Sequence, residues 1–128
     1  MQERNIILFV DDEKICHTLV ELIIPNFTNY KLVSAFNSKD AISLAERYAS
    51  SLALVLTDIM LPDLNGYELH DELKSKEKFK DIPFIFQSGL ASQEIELKKH
   101  VGDNPHILYK PYSQEGLLNI IDEVVKKI

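Results

Sequence analysis

The sequence contains a single cysteine, and this scarcity limits both its chemistry and its expected surroundings. Cys16 has no second cysteine with which to form an internal disulfide bond, so a reducing, cytoplasmic setting is expected. No apolar run is long enough to span a membrane, and no charged segment followed by an apolar one resembles a secretory signal. The sequence therefore excludes a disulfide-stabilised scaffold, and no association with a membrane is expected.

Positive charge is also in short supply. The chain carries 14 Lys and Arg against 20 Asp and Glu, which gives a formal net charge of -6. Because a surface that binds nucleic acid needs clustered cations, no direct nucleic acid binding is expected. The sequence also lacks internal repeats, low-complexity segments and Gly/Ser/Pro linkers, so residues 1–128 are expected to form one domain.

Five short apolar runs recur along the chain, and each has the length and composition of a β-strand. They cover residues 5–10, 30–36, 52–57, 83–87 and 106–110. The first and third runs are almost continuously apolar, which is typical of strands covered on both faces. These two are therefore predicted to lie at the centre of a sheet.

Apolar residues between these runs recur at helical spacing. The clearest sets are Ile15, Leu19, Leu22 and Ile23; Ala41, Leu44, Ala45 and Tyr48; and Leu117, Ile121, Val124 and Val125. Pro25 is predicted to end the first helix, and Gly102 is predicted to stop the fourth. Ser38 and Ser113 are predicted N-caps. The segment 92–101 is less apolar, which predicts a loosely held helix.

Five strands that alternate with five helices predict a doubly wound α/β fold with a parallel sheet, because each parallel connection needs a crossover. Sheets of this kind bind ligands beyond the carboxyl ends of their strands. The residues at those ends are therefore the first candidates for a functional site.

Polar residues follow the predicted strands at this edge. Asp11 and Asp12 follow the first strand, Asp58 the third and Ser88 the fourth, while Lys110 ends the fifth. Carboxylates gathered in a partly desolvated place repel each other unless a cation offsets them. Mg2+ suits a site with two or three carboxylates, since it prefers oxygen ligands and keeps several waters. The sequence therefore predicts a magnesium site, with Lys110 as a second positive charge.

These residues resemble the receiver domains of two-component response regulators, of the chemotaxis-regulator type. The matching residues are Asp11-Asp12, Asp58 in TDIMLPDLNG, Ser88 in QSG, and Lys110-Pro111-Tyr112 in YKPY. They occur in the family's order and cover essentially the whole chain. The resemblance implies a flavodoxin-like fold with the strand order 2-1-3-4-5. It also implies a signalling module that catalyses only its own phosphoryl transfer and a slow self-dephosphorylation.

The resemblance assigns the metal ligands. Asp12 and Asp58 would bind Mg2+ directly, and Asp11 would do so through water. The backbone carbonyl of Met60 would complete the protein ligands.

The resemblance also assigns the phosphoryl chemistry. Asp58 would accept a phosphoryl group from a phosphohistidine on a sensor histidine kinase or a histidine phosphotransfer protein. Lys110 would pair with Asp58 and then with the phosphoryl oxygens, while the Ser88 hydroxyl would move to bond one of them. A cis peptide bond between Lys110 and Pro111 is expected. A downstream protein target would bind the face formed by the fourth helix, the fifth strand and the fifth helix.

Some positions depart from the family's usual pattern. Many receivers carry an aromatic residue three positions before the lysine, where this chain has Ile107, although Tyr109 lies on the same strand face. Met60 and Leu90 are apolar at the positions that line the path of the hydrolytic water in the family. Because neither side chain can orient a water molecule, slow self-dephosphorylation is predicted. The histidines have no ligand spacing, so they are predicted to be structural or surface residues.

Other functions remain as alternatives. A phosphohydrolase of the haloacid-dehalogenase kind would need an aspartate where Met60 stands. A flavin-binding electron carrier would need phosphate donors in place of the DDEK segment. A scaffold of the same fold without phosphorylation is a further alternative. The sequence does not distinguish a stand-alone receiver from one cut from a larger regulator or hybrid kinase.

Overall fold

A computed structural model describes residues 4–90 and 93–126. A sheet of five strands runs through it in the order β2-β1-β3-β4-β5, and every neighbouring pair is parallel. The strands are β1 Ile6–Val10, β2 Lys31–Ala35, β3 Leu52–Asp58, β4 Phe84–Ser88 and β5 His106–Tyr109. The helices are α1 Lys14–Phe27, α2 Ser38–Arg47, α3 Gly66–Lys74, α4 Gln93–Val101 and α5 Gln114–Lys126. The predicted doubly wound, flavodoxin-like fold is confirmed.

Helices cover both faces of this sheet, and each face has its own apolar cluster. Ile6, Leu8 and Val10 of β1 pack on one face with buried residues of α2, α3 and α4. Ile7 and Phe9 pack on the other face with residues of α1 and α5. Every residue of β1 and β3 is buried, as expected for the two central strands.

One predicted helix boundary is wrong. Pro25 lies inside α1, which continues to Phe27. A proline inside a helix lacks a backbone N–H and crowds the carbonyl four residues before it, and only two helical residues follow Pro25. The N–H of Thr28 still donates to the carbonyl of Ile24 at 3.0 Å, and the Thr28 hydroxyl donates to the same oxygen at 2.6 Å.

The N-cap of α2 also differs from the prediction. Ser38 is the first helical residue, and Asn37 is the cap, because the Asn37 side chain accepts a hydrogen bond from the Asp40 N–H at 2.8 Å. Amide oxygens serve this purpose as well as hydroxyls do. The predicted cap at Ser113 agrees with the structure, since its hydroxyl accepts from the Gly116 N–H at 2.9 Å.

The fourth helix ends as predicted. Gly102 has a φ of 98°, which favours glycine, and its N–H donates to the Lys98 carbonyl at 3.1 Å. Ser92, where this helical segment was predicted to start, lies outside the described residues. Among the helices of residues 4–90 and 93–126, none has the length and apolar character needed to cross a membrane.

Candidate functional site

The ends of β1 and β3 bring three carboxylates together. Val10 pairs with Thr57 in the sheet, so the residues that follow them lie side by side. β3 extends one residue beyond the predicted run and ends at Asp58. Asp11, Asp12 and Asp58 can each place a carboxylate oxygen within 4.8 Å of the other two. Asp11 and Asp58 are buried, whereas Asp12 is exposed.

Lys110 lies between two of these carboxylates. Its Nζ donates to Asp11 Oδ2 and to Asp58 Oδ2, both at 3.1 Å. The backbone N–H of Lys110 donates to the Ser88 carbonyl at 2.8 Å, which holds the residue beside β4. The predicted cis peptide bond between Lys110 and Pro111 is present.

The electrostatics of the site follow from this arrangement. Burial opposes the charge on Lys110, but the carboxylates of Asp58 and Asp11 outweigh it and raise the pKa of the ammonium group. Burial raises the pKa of Asp58 above its ordinary value, and the Asp11 carboxylate acts in the same direction. Lys110 and the Met60 N–H oppose that rise. The Asp58 carboxylate is therefore harder to ionise than a surface aspartate, and a nearby cation would favour its charged form.

Ser88 lies at the same edge of the sheet as the carboxylates, but its hydroxyl contacts Leu90 and Gln93. Ser88 is the last residue of β4 and is 2% exposed. Its Oγ lies 2.7 Å from the Leu90 carbonyl and 2.6 Å from Gln93 Oε1, and it accepts from the Leu90 N–H at 3.2 Å. A hydroxyl has one proton, so it can donate fully to only one of the two acceptors. In this state Ser88 bonds the start of α4.

Ile107 and Tyr109 lie on the same face of β5, as predicted, and both contact the side of the sheet where α4 packs. Ile107 packs against the cluster that includes Leu97 of α4. The hydroxyl of Tyr109 donates to Glu94 Oε2, also on α4, at 2.7 Å. The side chain of Tyr109 is 46% exposed. An exposed tyrosine therefore links β5 to α4.

The loop between β3 and α3 is anchored to α2 by Asp63, which sequence reasoning treated as a turn residue. The two carboxylate oxygens of Asp63 accept from the N–H groups of Ser38 and Lys39, at 2.8 and 2.9 Å. Although burial opposes it, these N–H donors hold the pKa of Asp63 below its ordinary value. The Ser38 hydroxyl donates to the Leu64 carbonyl at 2.6 Å. The loop that follows Asp58 is thus fixed at its middle.

Gly66 begins α3 where that helix approaches the end of β3. Its N–H donates to the Ile59 carbonyl at 2.7 Å. A Cβ atom at this position would lie 2.5 Å from the Asp58 carbonyl oxygen, which is backbone and cannot move aside freely. The approach therefore requires glycine.

Sequence reasoning missed the roles of two residues, one that contacts the acidic cluster and one that contacts the first. Gln87 of β4 is fully buried, and its Nε2 donates to Asp11 Oδ2 at 3.3 Å. The hydroxyl of Tyr112 donates to Gln87 Oε1 at 2.6 Å. The sequence feature that could have identified Gln87 was an amide in an otherwise apolar strand, because a buried amide needs hydrogen-bond partners.

His17 has a structural position beside the site. The side chain is 2% exposed, and Nε2 lies 2.7 Å from the Asp11 backbone carbonyl. Because a carbonyl only accepts, Nε2 carries the proton. The ring stacks on Phe36 at 3.9 Å between centroids and meets Phe9 edge-on at 4.8 Å. His17 therefore supports the backbone from which Asp11 projects.

Comparison with known proteins identifies the family. The family model of the response regulator receiver domain matches residues 7–122. This chain belongs to that family. A receiver domain is a module of two-component signalling, and the structure has the family's CheY-like fold.

Individual relatives agree with this assignment. The receiver domain is 28% identical over 126 residues to the response regulator SaeR of Staphylococcus aureus, covering 95% of this chain and 51% of SaeR. The chain spans about half the length of the curated relatives it matches.

Solved structures share the fold. The chemotaxis response regulator CheY4 of Vibrio cholerae superposes with a TM-score of 0.83 at 22% identity, covering 93% of this chain and 97% of CheY4. A receiver domain of a sensor histidine kinase from Pseudomonas aeruginosa also gives 0.83 at 22% identity, with 95% and 98% covered. That structure has a magnesium ion coordinated in its active site cleft.

Proposed function

We propose that this receiver domain accepts a phosphoryl group on Asp58 in the presence of Mg2+, and that the modified site changes the binding face formed by α4, β5 and α5. The observation that carries the proposal is the meeting of Asp11, Asp12 and Asp58 with Lys110 at one edge of the sheet. The acceptor lies on a rigid central strand, as precise positioning of a nucleophile requires.

The donor set fits Mg2+. Three carboxylates with oxygens inside 4.8 Å of one another supply the hard oxygen ligands that this ion prefers. Asp12 and Asp58 would bind it directly, with the Met60 carbonyl as a third ligand. Asp11 would act through water, since its Oδ1 accepts from the Glu13 N–H at 2.9 Å and its Oδ2 accepts from Lys110. When bound, the ion would offset the negative charge of the transferring group.

The transfer itself needs little covalent chemistry from the protein. A carboxylate oxygen of Asp58 forms a bond to phosphorus, and the bond from phosphorus to the donor's histidine nitrogen breaks, leaving its electron pair on the nitrogen. Lys110 already contacts Asp58 at 3.1 Å, so its ammonium group is placed to neutralise a phosphoryl oxygen. The proposed donor is a sensor histidine kinase or a histidine phosphotransfer protein.

The signal would leave the site through Ser88. Its hydroxyl now contacts Gln93, the first residue of α4, and the carbonyl of Leu90, which precedes that helix. A phosphoryl oxygen on Asp58 would compete for that one proton and release the start of α4. Tyr109 and Ile95 expose large side chains on this face, where a downstream protein target would bind.

The phosphorylated state would be long-lived. The side chains of Met60 and Leu90 are 64% and 62% exposed, and neither carries a group that can orient an attacking water. We further propose a cytoplasmic setting and no direct contact with nucleic acid, in keeping with the net charge of -6.

Incubation with acetyl phosphate and Mg2+, followed by intact-mass measurement, tests this function. The wild type is expected to gain one phosphoryl group, and Asp58→Asn is expected to gain none because its amide is a poor nucleophile. Wild-type protein that stays unmodified, or an equal adduct on Asp58→Asn, would contradict the proposal.

A further inference from the structure

Gln87 is a buried amide in a strand that is otherwise apolar up to its last residue. β4 has the sequence FIFQS, and Gln87 has no exposed surface. A buried amide without hydrogen bonds costs about 1–3 kcal/mol, so its partners decide whether the residue is tolerated. Both ends of this amide have a partner, and one of them is Asp11.

The two contacts together fix which way the amide faces. The Asp11 carboxylate oxygens accept hydrogen bonds from Glu13 and Lys110, so the NH2 group of Gln87, rather than its oxygen, faces Asp11. The amide oxygen then faces Tyr112, whose hydroxyl must donate. Burial raises the pKa of Tyr112, which keeps that hydroxyl protonated. The Gln87 NH2 group donates to Asp11, and the Gln87 oxygen accepts from Tyr112. The amide therefore cannot flip without losing a hydrogen bond.

The fixed amide restrains Asp11. Oδ1 of Asp11 accepts from the Glu13 N–H, and Oδ2 accepts from both Gln87 and Lys110. Lys110 is a long side chain that also contacts Asp58, and in the proposed function it turns to a phosphoryl oxygen. Gln87 is therefore a buried side-chain donor that stays with Asp11 when Lys110 moves.

We propose that Gln87 and Tyr112 are positioning residues of the magnesium site: Tyr112 orients the Gln87 amide, and the amide holds the Asp11 carboxylate. This inference rests on the proposed function, because it concerns the same acidic cluster. Residues that orient a metal ligand in this way commonly change metal affinity about tenfold or more when they are removed.

Magnesium titration by calorimetry, without a phosphoryl donor, tests the inference. Tyr112→Phe keeps the ring and removes the hydroxyl, and it is expected to weaken Mg2+ binding by about tenfold. Gln87→Met keeps the chain length and removes the amide, and it is expected to weaken binding at least as much. The double variant is expected to match Gln87→Met, because Tyr112 acts only through the amide.

Tyr30→Phe is the matched control. Tyr30 packs in the same apolar cluster as Tyr112 but precedes β2, at the opposite edge of the sheet. Its Mg2+ affinity is expected to equal that of the wild type. Melting curves without Mg2+ separate a loss of folding from a loss of affinity, and Gln87→Leu is a second amide-free variant if Gln87→Met does not fold.

Phosphorylation by acetyl phosphate gives an independent readout. In Tyr112→Phe the Mg2+ concentration for half-maximal rate is expected to rise by a larger factor than the maximal rate falls. Equal Mg2+ affinity in the wild type and in Tyr112→Phe would overturn this inference but not the proposed magnesium site. A Tyr112→Phe effect that persists in the Gln87→Met background would also overturn it. A wild type that does not bind Mg2+ would overturn this inference and the proposed magnesium site together.

Discussion

Gly66 shows how one backbone position sets the geometry around Asp58, the proposed phosphoryl acceptor. The first residue of α3 approaches the Asp58 carbonyl so closely that any side chain would collide with it. This approach turns the chain sharply away from the strand end while the Asp63 carboxylate holds the middle of the loop on α2. The Asp58 side chain is therefore left beside Asp11 and Lys110 rather than covered by its own loop.

Gly66→Ala is expected to destabilise the fold by about 1–3 kcal/mol, because the added methyl group must displace backbone. Chemical denaturation measures the change. The control is Gly89→Ala, where a Cβ would have no atom within 4 Å among the described residues. Similar unfolding free energies for the two variants would show that the approach at Gly66 can relax.

At the residue scale, site residues at the ends of strands were easier to predict from the sequence than the contacts that support them. Asp11, Asp58 and Lys110 were predictable because the ends of parallel strands meet at one edge. Gln87 and Tyr112 were not, since a single apolar run does not say which side chains meet across neighbouring strands. Their contact depends on the register of β3, β4 and β5, which only the folded sheet supplies.

At the element scale, α4 is held mainly by polar side chains. Leu97 is its one buried residue among those described. Ser88 contacts Gln93, Tyr109 contacts Glu94, and His100 pairs with Asp71 of α3. His100 also stacks on Tyr67 at 4.4 Å between ring centroids. Such contacts can be exchanged without opening the apolar core, so α4 is the element best suited to move.

Amide hydrogen exchange with and without beryllofluoride and Mg2+ measures this motion. Exchange in α4 is expected to change on addition of the phosphoryl mimic, while β1 and β3 stay protected because they are fully buried. Ser88→Ala removes the hydroxyl that joins the site to α4, and it is expected to reduce the change. If amide exchange in α4 of the wild type does not change on addition of the mimic, α4 is excluded as the route of the signal.

Element boundaries were less predictable than element types. The helix that contains Pro25 continues to Phe27, where Thr28 closes it with two hydrogen bonds to the Ile24 carbonyl. α2 begins at a different cap because the Asn37 side chain, rather than that of Ser38, accepts from the first-turn N–H. Both differences are of one to three residues. The central strands were predicted well because a strand covered on both faces is almost continuously apolar, whereas a helix end depends on a single hydrogen bond.

At the scale of the whole molecule, the buried carboxylate of Asp58 makes stability depend on pH. The folded pKa of Asp58 lies above its unfolded value of 3.8, so the folded protein holds a proton there more tightly than the unfolded chain does. The favourable contribution of Asp58 is therefore present below pH 3.8 and is lost as the pH rises through the raised folded pKa. Ionisation of Asp58 therefore costs folding free energy, and such a cost is common at functional sites.

Asp58→Asn is therefore expected to melt at a higher temperature than the wild type at neutral pH without Mg2+. Addition of Mg2+ is expected to stabilise the wild type, by about 2.7 kcal/mol at 100 times the dissociation constant, and to narrow the difference. Calorimetric melting at several Mg2+ concentrations tests both statements. A wild type more stable than Asp58→Asn in the absence of the ion would contradict the first.

The groups that meet at this site come from β1, β3 and the end of β5, and Lys110 follows Asp11 by 99 positions. A chain still emerging from the ribosome has synthesised Asp58 long before it can supply the lysine. A partly synthesised chain therefore carries Asp58 without the lysine that contacts it in the folded protein. We expect the site to assemble only after β5 and the residue that follows it have been synthesised.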